Sequence, residues 1–165
     1  MEVSVERTIE KPFASLQTAL ANGPVGWLPG PPRDDRATAE LDVRLGRSRI
    51  ARRVVVRTGE LTDWPGHGRC RLPVAWQAAE HPERYPRLVG TLELTRTAPR
   101  RTKLTLRARY RPPAGPVGEA ADRAVVHVAA VASVRAFVRR IAGVLERSAM
   151  SGELAAGPPF AHGGE

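Results

Sequence analysis

Three side chains in this sequence could give a ligand a polar contact, Trp76, Tyr110 and His127, and the last two could also move a proton. Each tryptophan or tyrosine ring joins a large apolar area to one polar handle. His127 sits among Ala124, Val131 and Val134 at helical spacing, in the middle of an apolar stripe. An imidazole there is costly unless it is hydrogen-bonded or faces a wet cavity. Two readings stay open: a neutral histidine bonded to a backbone carbonyl or to Tyr110, or a group facing a ligand. Likewise Trp76 and Tyr110 serve either as core or as orienting contacts in a cavity. With Leu92 on an inward strand position and Val131 one turn along the helix, these five are the expected ligand-binding set.

Other constellations fail on chemistry. His67, Cys70 and His81 lie in Gly/Pro-rich surroundings without a fourth plausible ligand, so no metal is expected. A Ser133–His127–Asp122 triad fails because Asp122 falls on the other side of the helix and no nucleophile elbow exists. No Gly-rich phosphate loop of recognised spacing occurs. No catalytic residue is assigned, and no cofactor is expected.

These groups must be positioned by elements that the periodicity reveals. Val3, Val5 and Ile9 alternate with Glu2, Ser4, Glu6, Thr8 and Glu10, a half-buried strand. "PFASLQTALA" places Phe13, Leu16 and Leu20 on one helical face behind Pro12. The loop "NGPVGWLPGPPRDD" follows, with Trp27 as an anchor on the body or as part of a lid. About five or six strands come next. Their apolar faces are Ala39–Leu41–Val43–Leu45, Ile50–Val54–Val56, Cys70–Leu72–Val74–Trp76–Ala78, Leu88–Gly90–Leu92–Leu94 and Leu104–Leu106–Ala108–Tyr110. "LTDWPGHGR" reads as a loop whose Trp64 is again either an anchor or a lid. Short connections make neighbouring strands antiparallel, with one face dry and the other wet.

One-sided strands need a cover, and a long helix over Val117–Ser148 supplies it. Its stripe runs through Ala120, Ala124, His127, Val131, Val134, Val138, Ile141 and Leu145. Such a helix is about 45 Å long, enough to cross a sheet. Val126, Ala130, Phe137 and Val144 fall behind the stripe, suited to intramolecular contact or to a dimer surface; monomer and homodimer are both open. Inward Gly90, Ala78 and Ala108 mean either close packing or empty space. Residues 1–150 form one α+β domain, a curved antiparallel sheet around the C-terminal helix, and 151–165 read as a flexible tail.

Composition limits the partners. The formal net charge is +9, yet of 26 Lys and Arg residues only Lys11 and Lys103 are lysines. That arginine skew, beside abundant Ala, Gly and Pro, is what a GC-rich genome produces without selection for binding. Few aromatics interleave with the cations, which argues against nucleic acid as the partner. The single cysteine suits a reducing compartment. No apolar run is long enough to enter a membrane, and "MEVSVERTIEK" has no signal-peptide pattern, so a cytoplasmic protein is expected.

The strings "LPVAWQA" (Leu72–Ala78), "YPRLVGTLELT" (Tyr85–Thr95) and "KLTLRARYRPPAGPVGEAADRAVVH" (Lys103–His127) carry a resemblance over about residues 2–148. The chain resembles the START-like (SRPBCC) helix-grip superfamily, which includes polyketide cyclase/dehydrase-like proteins. A Pro-x-x-Trp strand and a Tyr-x-Pro-Pro corner entering the helix are similar to strings in actinobacterial members. The resemblance implies a hydrophobic cavity between sheet and helix and a small apolar ligand: a lipid, a polyketide or another apolar metabolite. Fold alone does not choose among binding, cyclase or dehydratase chemistry, and a basic interaction module with a filled core.

Overall fold

Alternating strand residues and one long apolar helix resolve into a sheet that curls around that helix. The computed structural model describes residues 2–22, 36–45, 48–82, 85, 87–111 and 123–155. The elements are β1 (Glu2–Ile9), α1 (Phe13–Ala21), β2 (Arg36–Leu45), β3 (Ser48–Thr58), β4 (Thr62–Trp64), β5 (Arg69–Ala78), β6 (Arg87–Ala98), β7 (Arg101–Arg111) and α2 (Arg123–Ala155). The sheet has seven strands in the order β1-β7-β6-β5-β3-β2, with β4 paired to β5 off that path. Every pairing is antiparallel. This is the α+β helix-grip architecture.

Register stacks the inward residues in rows across the sheet. Leu72, Leu92 and Leu106 lie side by side, with Val5 next to Leu106. Val56, Trp76, Leu88 and Tyr110 form a row toward the other end. Apart from the half-buried Val5 these side chains are buried, and together with Val134, Phe137, Val138, Ile141 and Leu145 of α2 they belong to one core. Each is worth roughly 1.5–3 kcal/mol of transfer free energy when a Leu-sized side chain leaves water.

α2 runs closest to β1 and β2, the two margins of the sheet. A sheet whose margins both reach one helix is strongly curled, so its middle strands stand further off and large side chains fill the interval. α2 also has a direction. Its His127 meets Tyr110 of β7, whereas Glu146 lies 3.9 Å from Arg7 of β1, toward the β6–β7 turn. At that far end α1 packs on α2 and β6 and buries Leu16, Ala19 and Leu20. The Thr102 hydroxyl donates to the Lys11 carbonyl at 2.9 Å, fixing the connection into α1.

Three expectations change. Phe137 does not lie behind the helix; it is fully buried and stacks on Trp76 with centroids 4.5 Å apart and planes at 22°. The curled sheet covers more than one stripe of α2, so Ala130 and Phe137 are core alongside Val134 and Val138. The helix continues past Ser148 to Ala155, since Glu153, Leu154 and Ala155 are good helix formers ahead of the prolines at 158 and 159. Within "LTDWPGHGR", Thr62–Trp64 is a strand. Its backbone pairs with Arg69–Arg71 across a turn in which Gly66 and Gly68 take φ of 82° and 58°. Trp27, Pro112–Asp122 and the residues beyond Ala155 lie outside the described residues.

The outer face is polar and largely paired along β1, β5 and the adjoining ends of β6 and β7. Glu2–Arg109, Glu6–Lys103 and Glu10–Arg101 cross between β1 and β7 at 3.6, 3.6 and 2.9 Å. Glu93 receives both Arg69 and Arg71, the closest contacts being 3.0 and 2.7 Å. Burial alone would raise the Glu93 carboxyl, but hydrogen bonds and charge from the two guanidiniums outweigh it and hold it below its ordinary value. No helix among the described residues is long and apolar enough to cross a membrane.

Candidate functional site

Alternation along β7 turns Leu104, Leu106, Ala108 and Tyr110 inward, which makes Tyr110 the last inward side chain of the strand. Five residues into α2, His127 points at it from the opposite wall. The Tyr110 hydroxyl and His127 Nδ1 stand 3.5 Å apart, with ring centroids 6.2 Å apart. At that length the contact is at the limit of a hydrogen bond and can be bridged or tightened by a third polar group. Tyr110 is buried and His127 half-buried. The His127 Nε2 has no hydrogen-bond partner among the described residues.

The surroundings of this pair are apolar. Leu88 neighbours Tyr110 across the β6–β7 register, and Trp76 neighbours Leu88 across β5–β6. Val131, one turn on from His127, is half-buried and packs on the core. Leu92 is fully buried in the next row but one. Of the five residues expected from sequence, the fold brings Tyr110 and His127 into contact and Val131 beside them. Trp76 shares Tyr110's row, but its ring is committed to Phe137. Phe137 is the residue that sequence reasoning missed. Its signal was present: Ala130, Val134, Phe137 and Ile141 also recur at spacings of four and three.

Gly90 settles one ambiguity. A Cβ built there would sit 2.3 Å from the Arg107 carbonyl oxygen and 2.8 Å from the Ala108 Cα. Its smallness therefore reflects close approach of β7, not vacant space. The other chemically suggestive residues are dispersed. Cys70 is buried, and its thiol is pushed up to about 11, first by burial and then by Asp63 nearby. We therefore expect Cys70 to resist iodoacetamide at pH 8 in the native protein and to react once it is unfolded in urea; rapid native labelling, read by mass spectrometry, would contradict this. Ser133 spends its hydroxyl on the Ala129 carbonyl at 2.8 Å. Trp64 is exposed, with Arg69 and Arg71 at 5.9 and 5.2 Å from its ring, at the end of β5 away from Tyr110. Its ring lies against arginines of its own β4–β5 hairpin. Among the described residues no three His, Cys, Asp or Glu side chains cluster as metal ligands would.

A curled antiparallel sheet gripping a C-terminal helix is the helix-grip fold. The chain is similar in structure to a conserved protein from Geobacillus kaustophilus, with a TM-score of 0.56 and 13% identity, covering 90% of this chain and 97% of that one. It is also similar to the Zhui aromatase/cyclase from Streptomyces sp. R1128, with a TM-score of 0.52 and 16% identity over 96% and 99% of the two chains. A third likeness is to norcoclaurine synthase from Thalictrum flavum, solved with dopamine and hydroxybenzaldehyde, with a TM-score of 0.51 and 10% identity over 92% and 87%. At these identities the likeness is one of fold. No protein-family profile and no curated protein sequence matches the chain.

Proposed function

We propose that this protein binds a small, mainly apolar molecule bearing one polar group, held between sheet and helix at the Tyr110–His127 end. The observation that carries the reading is that pair itself: two polar groups on opposite walls, 3.5 Å apart, in an otherwise apolar setting. The imidazole Nε2, without a partner among the described residues, is the natural acceptor or donor for the ligand's polar group. Val131, Leu92 and the Trp76–Phe137 stack supply apolar wall. The opposite end is closed by α1, which favours this end as the mouth. Solved proteins of the same fold act on or hold aromatic molecules, which supports a ligand of that general kind.

Displaceable binding of a naphthol-type fluorescent probe is the test. Tyr110→Phe and His127→Leu should each weaken it roughly five-fold, the worth of about 1 kcal/mol from one net hydrogen bond. No displaceable binding, or binding indifferent to both substitutions, overturns the proposal. A second reading uses the same pair for proton transfer, as a cyclase or dehydratase would, with His127 as the base and Tyr110 holding its Nδ1. That reading fails if His127→Ala leaves turnover of a polyketide-like substrate intact.

A further inference from the structure

The outer face of the sheet divides electrostatically. Arg69, Arg71, Arg101, Lys103 and Arg109 are matched by carboxylates. Arg57, Arg87 and Arg107 are exposed and have no acidic partner among the described residues. Two of these three border a cleft of about 250 Å³ lined by Val55, Arg57, Ala75, Trp76, Gln77 and Arg87. The register explains the cleft. Arg57 lies opposite Ala75 and Ala75 opposite Val89, while Arg87 stands two residues before Val89 on β6, so β3 and β6 raise their arginines diagonally across the small outer residue of β5. Arg57 and Arg87 stand two strand spacings apart and two residues offset along the strands, roughly 12 Å between backbones, a span that two arginine side chains can close over the cleft.

We propose that this outer cleft is an anion site for a phosphate monoester with an apolar body. It is separate from the inner site and does not depend on it. Two guanidinium forks can each give a bidentate pair to a phosphoryl group, whose three terminal oxygens and charge of about −2 suit two cations. Val55 and Ala75 give the ester's apolar body a floor, and the Gln77 amide adds a polar contact at the side. Charge unmatched among the described residues, with two such guanidiniums bordering one cleft, is what selects an anionic occupant.

Phenyl phosphate is the probe, titrated by calorimetry beside phenol and inorganic phosphate. Phenyl phosphate should bind more tightly than either fragment. Arg57→Gln and Arg87→Gln should each weaken it roughly ten-fold or more. Arg107→Gln, which removes an exposed charge outside the cleft, should leave it unchanged. Naphthol-probe binding at the inner site should survive in all three variants, so the two proposals fail separately. Sedimentation with phosphatidic acid vesicles, but not with phosphatidylcholine vesicles, would identify the ester as a lipid headgroup; binding without sedimentation identifies a soluble one. Absence of phenyl phosphate binding, or equal loss in Arg107→Gln, overturns the site and reduces the patch to diffuse surface charge.

Discussion

Replacing Phe137 by alanine is expected to destabilise the fold by about 3–5 kcal/mol, the usual range for truncating a buried aromatic. Phe137 is fully buried and stacked on Trp76, which is itself buried in the middle of the sheet. Because α2 lies closest to the marginal strands β1 and β2, the interval above β5 is spanned by side chains of this size. Truncation leaves a void under the indole that neither the sheet, held at both margins, nor the helix can close. Urea unfolding of Phe137→Ala against Phe137→Leu and Val128→Ala measures it. Leucine should recover part of the loss, and the exposed Val128 should cost less than about 0.5 kcal/mol. A Phe137→Ala loss below about 1 kcal/mol would mean that the stack does not hold sheet to helix.

That residue also marks where sequence reading stopped. Strand faces were legible because burial on one side imposes a period of two: Val54 and Val56, or Leu104 and Leu106, read inward and are inward. The helix was legible as an element, yet its buried arc was drawn too narrow. A flat sheet covers one stripe of a helix; a curled sheet covers an arc, so Ala130 and Phe137 pack as well as Val134 and Val138. β4 carries no apolar alternation, being exposed along its length, and exists through backbone pairing with β5. The resemblance anticipated the helix-grip fold, and the structure has it.

The candidate site was legible in part. Tyr110 and His127 were each visible as a polar group on an apolar face, and their pairing was one of two open readings. Whether they meet depends on how α2 is set against β7, and no local pattern encodes that. The outer cleft was illegible for a related reason. Composition gives the number of arginines but is silent on which of them find carboxylates. Glu2 and Glu6 stand in register with β7 and Glu10 follows them, so Arg101, Lys103 and Arg109 find carboxylates, whereas Arg57, Arg87 and Arg107 find none among the described residues. Strand register, not charge count, decides which arginines meet a carboxylate.

Gly90 brings fold and site together. On chain entropy alone, Gly→Ala at a compatible position stabilises by roughly 0.4–1 kcal/mol. At Gly90 the sign should reverse. The new Cβ would meet the Arg107 carbonyl oxygen at 2.3 Å, the Ala108 Cα at 2.8 Å and its Cβ at 3.0 Å. Two of these atoms are backbone, so relief requires moving β7 off β6 and not a rotamer change. We expect Gly90→Ala to destabilise by about 1–3 kcal/mol or more, the cost of an overpacked core. Gly143→Ala is the opposing control. Its Cβ would meet only the flexible Arg147 guanidinium at 3.5 Å, so helix propensity should prevail and stabilise by up to about 1 kcal/mol. The displacement has a functional reading too, because Tyr110 follows two residues after Ala108 on the strand that must shift. Urea midpoints should move in opposite directions for the two variants, and naphthol-probe affinity should fall in Gly90→Ala alone. Stabilisation of both would show that the β6–β7 spacing yields easily, and that Tyr110 is held against His127 by something other than the close approach of these strands.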